Sequence, residues 1–174
     1  MLVSGTLVKA FNEQIGHEMG ASLQYTAISA YFGTEGLPEL QKHFERQAAE
    51  ERVHALKFVK FLVDAGGRVA IPAIPAPRSD FKTAEEAVAL SLAWEETVTK
   101  QIYGLVDAAK GDNNYIAIRF LDWFVTEQLE EVSTMQTLLD LIERAGDSNL
   151  LYVEDYLARR GGVVSANPIG EGEE

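Results

Sequence analysis

The chain has 174 residues, 47% of them apolar, no cysteine, and 27 acidic against 15 basic side chains, for a net charge of −12. That length suffices for one compact domain with its own core; the lack of Cys excludes disulfides, Cys-based zinc sites, iron–sulfur clusters and a thiol nucleophile. The charge disfavours nucleic acid and favours cations, and with no leader-like start and no membrane-length apolar run a cytoplasmic protein without membrane contact is expected.

Residues 4–32 form the first predicted helix, with Ser4 as N-cap. Leu7, Phe11, Ile15, Glu18, Ser22, Tyr25, Ser29 and Phe32 make one stripe at spacings of three and four. Gly16 and Gly20 weaken this helix locally or allow close helix packing. Gly33, Gly36 and Pro38 end it. Pro38 suits the start of a second helix, predicted over 38–65 and stopped by Gly66-Gly67. Its stripe is Phe44, Ala48, Glu51, Ala55, Phe58 and Leu62. The short connection makes the two helices antiparallel neighbours.

Residues 67–82 carry Ile71-Pro72-Ala73-Ile74-Pro75-Ala76-Pro77, an extended and stiff stretch. It reads as a crossover strap along a bundle. Thr83 caps a third helix over 83–110, with the stripe Val88, Leu92, Glu95, Thr99, Ile102 and Val106. After the turn at 111–114 a fourth helix runs over 114–145, with Phe120, Phe124, Glu127, Glu131, Thr134, Leu138 and Leu141 in line. Asp147 or Ser148 caps a short fifth helix over 148–160. Residues 161–174 read as a disordered tail. The fold class is therefore all-α: a four-helix up-down bundle in a single domain over 1–174, with one long crossover between helices 2 and 3 and a short C-terminal helix.

Every stripe carries a carboxylate near its helix midpoint: Glu18, Glu51, Glu95, and Glu131 with Glu127. In a bundle the midpoints share one level, so these groups and His54, one turn after Glu51, converge in the core. Buried anions at close range stay ionised only with cations beside them. Two metal ions bridged by a shared carboxylate meet that demand, and carboxylate-rich ligation with one imidazole favours iron or manganese over zinc or copper. A lone Glu-Glu-x-x-His on a helix is common and weak by itself; the matched carboxylates on the other helices make the signal specific. His17 and His43 fall off the stripes and are expected at the surface or in contacts.

The chain resembles the bacterial non-haem ferritins over nearly its whole length. The specific places are Glu18 with Tyr25, Glu50-Glu51-Arg52-Val53-His54, Trp94-Glu95-Glu96-Thr97-Val98-Thr99, and Trp123-Phe124-Val125-Thr126-Glu127-Gln128. The resemblance implies a first iron on Glu18, Glu51 and His54, and a second on Glu95 and Glu131 with Glu51 as bridge. Glu50, Glu127 and Glu130, with Glu131, match a third site found in some members. Tyr25 matches a hydrogen-bond donor or electron relay beside the pair, and Gln128 a polar neighbour of the oxygen side. It also implies a ferroxidase that oxidises Fe(II) with O2 or H2O2, a mineral store, and a homo-24-mer whose fifth helix packs against neighbouring subunits. Arg119 and Asp122 are candidates for a three-fold entrance.

The departures are informative. Bacterioferritins carry a second Glu-x-x-His and a haem-ligating Met just after the bridging Glu; this chain has one Glu-x-x-His and Arg52, so haem is not expected. Val53 and Leu56 stand where some ferritins place further inward acids for mineral nucleation. Two alternatives fit the same ligands: a rubrerythrin-like diiron peroxidase, which the missing Cys and second Glu-x-x-His disfavour, and a passive metal-binding shell without fast oxidation. A miniature ferritin that protects DNA would place its metals between subunits and carry a basic tail.

Overall fold

Helices begin where something satisfies their first free N–H groups. In the computed structural model, which describes residues 2–163, α1 (Gly5–Thr34) starts at Ser4, whose Oγ accepts from the Leu7 N–H at 3.1 Å. α3 (Ala84–Gly111) starts at Thr83, which accepts from the Glu86 N–H at 3.1 Å. α4 (Tyr115–Ala145) starts at Asn114, which accepts from the Ala117 N–H at 3.0 Å. α2 (Pro38–Asp64) follows Leu37, which offers no side-chain cap. Its cap comes from far along the chain: Glu154 of α5 (Leu150–Arg160) accepts from the Glu39 and Leu40 N–H groups at 2.8 and 2.9 Å.

The long helices match the expected spans to within one or two residues. Before α5, Asp147–Asn149 form a 3-10 turn after Gly146, and the α-helix starts only at Leu150. α1 and α2 form one hairpin, turning at Gly36, whose φ of 73° is the left-handed conformation that glycine adopts freely. α3 and α4 form the other. Among the described residues no helix is long and apolar enough to cross a membrane.

The strap does cross between the hairpins without regular structure, and two amides of α1 hold it. The Asn12 side chain donates to the Arg68 carbonyl at 2.9 Å and accepts from the Ala70 N–H at 2.7 Å. Gln24 does the same at Arg78, donating at 2.8 Å and accepting at 2.9 Å. Gly16 lies between them: a Cβ there would sit 2.4 Å from Cγ of Pro72. The close approach at this glycine is therefore to the strap and not to a helix.

Val153 and Leu157 are buried against α2 and α4, while Leu151 and Tyr152 face solvent. The apolar core forms two clusters. One gathers Tyr25, Phe32, Phe44, Leu138 and α5; the other gathers Phe11, Phe58, Ile102, Leu121 and Phe124. Glu18, Glu51, His54, Glu95 and Glu131 lie between them, and Tyr25 belongs to the first cluster. The tail over 164–174 lies outside the described residues.

Candidate metal centre

The helix stripes deliver Glu18, Glu51, Glu95 and Glu131 into the interior, each at most 5% exposed. His54, at 3% exposure, places Nδ1 3.5 Å from Glu51 Oε2. Ligand atoms of Glu18, Glu51 and His54 come within 4.8 Å of one another, as do those of Glu51, Glu95 and Glu131. Glu51 belongs to both sets, so the two sets share one carboxylate. A third set joins His54, Glu127 and Glu131.

One oxygen each of Glu18, Glu51 and Glu95 is buried without a hydrogen-bond partner. Such orphaned acceptors are costly, because a buried carboxylate normally gathers donors. Three of the other oxygens accept hydrogen bonds. Gln14 donates to Glu18 Oε1 at 2.9 Å, and Gln47 donates to Glu131 Oε2 at 2.9 Å and to Glu50 at 3.0 Å. Tyr25, fully buried, donates its hydroxyl to Glu95 Oε1. Thr99 donates to Gln128 Oε1 at 2.9 Å, so the Gln128 amide is fixed beside Glu95.

The electrostatics follow from this crowding. Burial, reinforced by Glu95, Glu18 and Glu131, drives the Glu51 carboxyl well above the usual range. Glu131 is raised by burial and by Glu95 and its other acidic neighbours. Glu95 rises to about 7, again chiefly through burial, with the Tyr25 hydrogen bond working in the opposite direction. Burial and the Glu95 charge keep the Tyr25 phenol protonated far past its ordinary range. Without a cation the cluster therefore holds protons at neutral pH, and a bound cation would displace them.

Not every candidate converges. Glu50 and Glu130 sit at the solvent edge and join none of the three sets, while Glu127 is half-buried with Oε1 3.7 Å from His54 Nε2. Arg119 and Asp122 face solvent and pair with each other at 3.3 Å. His43, expected at the surface or in contacts, is in contacts: it is 4% exposed. It flanks the α2 stripe beside Phe44, whose ring it meets edge-on at 5.2 Å. The roles of Gln14, Gln47 and Thr99 as second partners were not read from the sequence; each lies one turn from a site residue on its own helix, the only local signal available.

The sequence model described as the ferritin-like domain matches residues 8–145. Ferritin BfrB of Mycolicibacterium smegmatis is 42% identical over 97% of this chain and 94% of its own. The bacterial non-heme ferritin of Staphylococcus aureus is 37% identical over 87% of this chain and 92% of its own. Among solved structures, an open-pore ferritin of the archaeon Archaeoglobus fulgidus superposes with a TM-score of 0.87 at 30% identity, covering 90% of this chain and 97% of that one.

Proposed function

The chain belongs to the ferritin family, and from that premise we propose that it is a ferroxidase and iron store. Fe(II) is its substrate. Glu18, Glu51 and His54 take one ion, and Glu95, Glu131 and the second oxygen of Glu51 take the other. The observation that carries this reading is the set of orphaned oxygens on Glu18, Glu51 and Glu95: three acceptors buried together with no donor are accounted for by cations.

Two Fe(II) ions give one electron each to O2, which takes up two protons and leaves as hydrogen peroxide. The two Fe(III) ions then hydrolyse and pass to a ferric mineral. The protein supplies position and dryness for this exchange. Tyr25 and Gln128 hold Glu95 from two sides. The rings of Trp123 and Phe124 meet His54 edge-on at 5.4 and 5.9 Å and limit its rotation. Glu127, through its proximity to His54 and Glu131, supports a third ion position toward solvent, with Glu50 and Glu130 beside it. Arg52 is exposed and offers no haem ligand. A homo-oligomeric shell, read as a 24-mer, is supported by the exposed Leu151 and Tyr152 on α5 and by Tyr115 and Ile116 at the start of α4.

The test is an anaerobic Fe(II) titration of the apo-protein followed by rapid mixing with O2. The expected result is saturation at two or three ions per chain and fast oxidation, both lost in Glu51→Ala and His54→Ala. Tight binding with slow oxidation would favour the passive shell. No stoichiometric binding would refute the reading.

A further inference from the structure

The Trp123 indole touches the centre and carries a cation. Its ring meets the His54 imidazole edge-on at 5.4 Å and the Phe124 ring edge-on at 4.8 Å. It is 38% exposed and stands at a surface cleft of about 280 Å³ that His54, Lys57 and Glu127 also line. An electron-rich indole against the imidazole that would hold an iron ion is a ready source of electrons.

Lys57 lies one turn after His54 on α2 and places its Nζ 3.1 Å from the centre of the Trp123 ring. An ammonium there sits on the negative face of the π cloud, which stabilises the neutral indole. Removing an electron reverses the sign, because the indole cation radical and the ammonium are then like charges in contact. Lys57 is half-buried. Burial lowers its pKa, and the neighbouring Glu127 carboxylate works the other way.

The inference rests on the ferroxidase reading. The hydrogen peroxide formed there needs two electrons to become two hydroxide ions. A centre with two Fe(II) supplies both. A centre with one Fe(II) supplies one, and the other must come from a side chain. With Trp123 as donor, H2O2, Fe(II) and the indole give Fe(III), two hydroxide ions and an indole cation radical, which then releases its ring N–H proton to water. With Tyr25 as donor the ring stays neutral, because the phenol proton passes to Glu95 Oε1, to which the hydroxyl is already bonded. We propose that Lys57 is a redox guard: its ammonium on the face of Trp123 keeps that indole from supplying the missing electron and leaves the demand to Tyr25.

Lys57→Met keeps an unbranched stem over the ring and removes the charge, whereas Lys57→Arg keeps the charge. Each chain is produced with and without ring-deuterated tryptophan and titrated anaerobically with Fe(II). One Fe(II) per chain is then mixed with H2O2 and freeze-quenched. EPR reads the organic radical, and narrowing on deuteration assigns it to an indole. The indole signal is expected to rise at least about fivefold in Lys57→Met, the factor that a partly desolvated cation–π contact represents. It should stay at the parent level in Lys57→Arg and vanish when Trp123→Phe is added to Lys57→Met. Equal indole signals in the parent and Lys57→Met overturn the proposal, as does a signal that survives Trp123→Phe. A parent chain that binds no Fe(II) refutes the ferroxidase reading and the guard together; chains that bind it with equal indole signals refute the guard alone.

Discussion

The aromatic end of the bundle and its carboxylate layer are built from the same helices and do opposite things. At the aromatic end Phe58 stacks on Phe124 and Phe61 on Phe120, both at 4.3 Å, and Phe11 meets Phe58 edge-on at 5.4 Å. Every group there gains from burial. One to two turns away, Glu18, Glu51, Glu95 and Glu131 are just as deeply buried and lose by it. The difference teaches that apolar burial and charge burial are assigned to separate layers of one core, and that the apolar layers on either side must carry the middle one.

Removing a ring should therefore hurt regardless of metal. Phe58→Ala is expected to cost about 3–5 kcal/mol, with the same drop in denaturation midpoint for metal-free and Fe(II)-loaded protein at fixed chain concentration. A drop confined to one state would break the separation of layers.

His43 sharpens the contrast at acid pH. Its folded pKa of about 4 lies below the ordinary value of 6.5. Between these values the unfolded chain binds a proton that the folded chain refuses. This contribution is complete above about pH 6.5 and is lost as pH falls toward 4, by about 3 kcal/mol in all. The difference in unfolding free energy between the parent and His43→Leu, followed from pH 7 to 4, should change by about that amount.

The carboxylate layer predicts the reverse sign. Glu95 keeps its proton to about pH 7 when folded, whereas the unfolded chain releases it near the usual carboxylate value. Metal-free stability from this group is complete below about pH 4.5 and falls as pH rises to 7. Glu95→Gln should raise the metal-free stability at pH 8 by about 1–3 kcal/mol while reducing the gain on adding Fe(II). Equal stability of the two chains at pH 8 would mean that the carboxyl is compensated in another way.

The smallest effect belongs to the strap. Asn12→Ala removes both hydrogen bonds to Arg68 and Ala70 and should cost about 1–2 kcal/mol. Faster proteolysis should appear within 67–82, with iron stoichiometry unchanged. Loss of iron binding would show that the strap helps shape the centre.

The carboxylate layer was legible because a 3.6-residue period says which residues face inward, and the four glutamates sit on the apolar stripes themselves. The α2 stripe from Phe44 to Leu62 is buried at every predicted position. What the period does not carry is a partner on another helix. Gln47 is a stripe-edge amide until Glu131, 84 positions later, meets it. Glu154 reads as an ordinary surface acid of a short helix until α2 presents two free N–H groups to it. His43 is open to both readings for the same reason: an edge position is exposed on an isolated helix and buried once the rest of the chain packs around it.

The strap has one consequence for how the centre comes together. Glu18, Glu51 and His54 belong to the first hairpin, and Glu95 and Glu131 to the second, so neither hairpin holds the centre alone. Because Asn12 and Gln24 grip the connection at both ends on the first hairpin, the second is a tethered reactant whose point of attachment is already fixed. Its arrival is an intramolecular event at high effective concentration and in one orientation. The two half-sites thus meet as a matched pair within one chain, without having to find each other among many copies in an assembling shell.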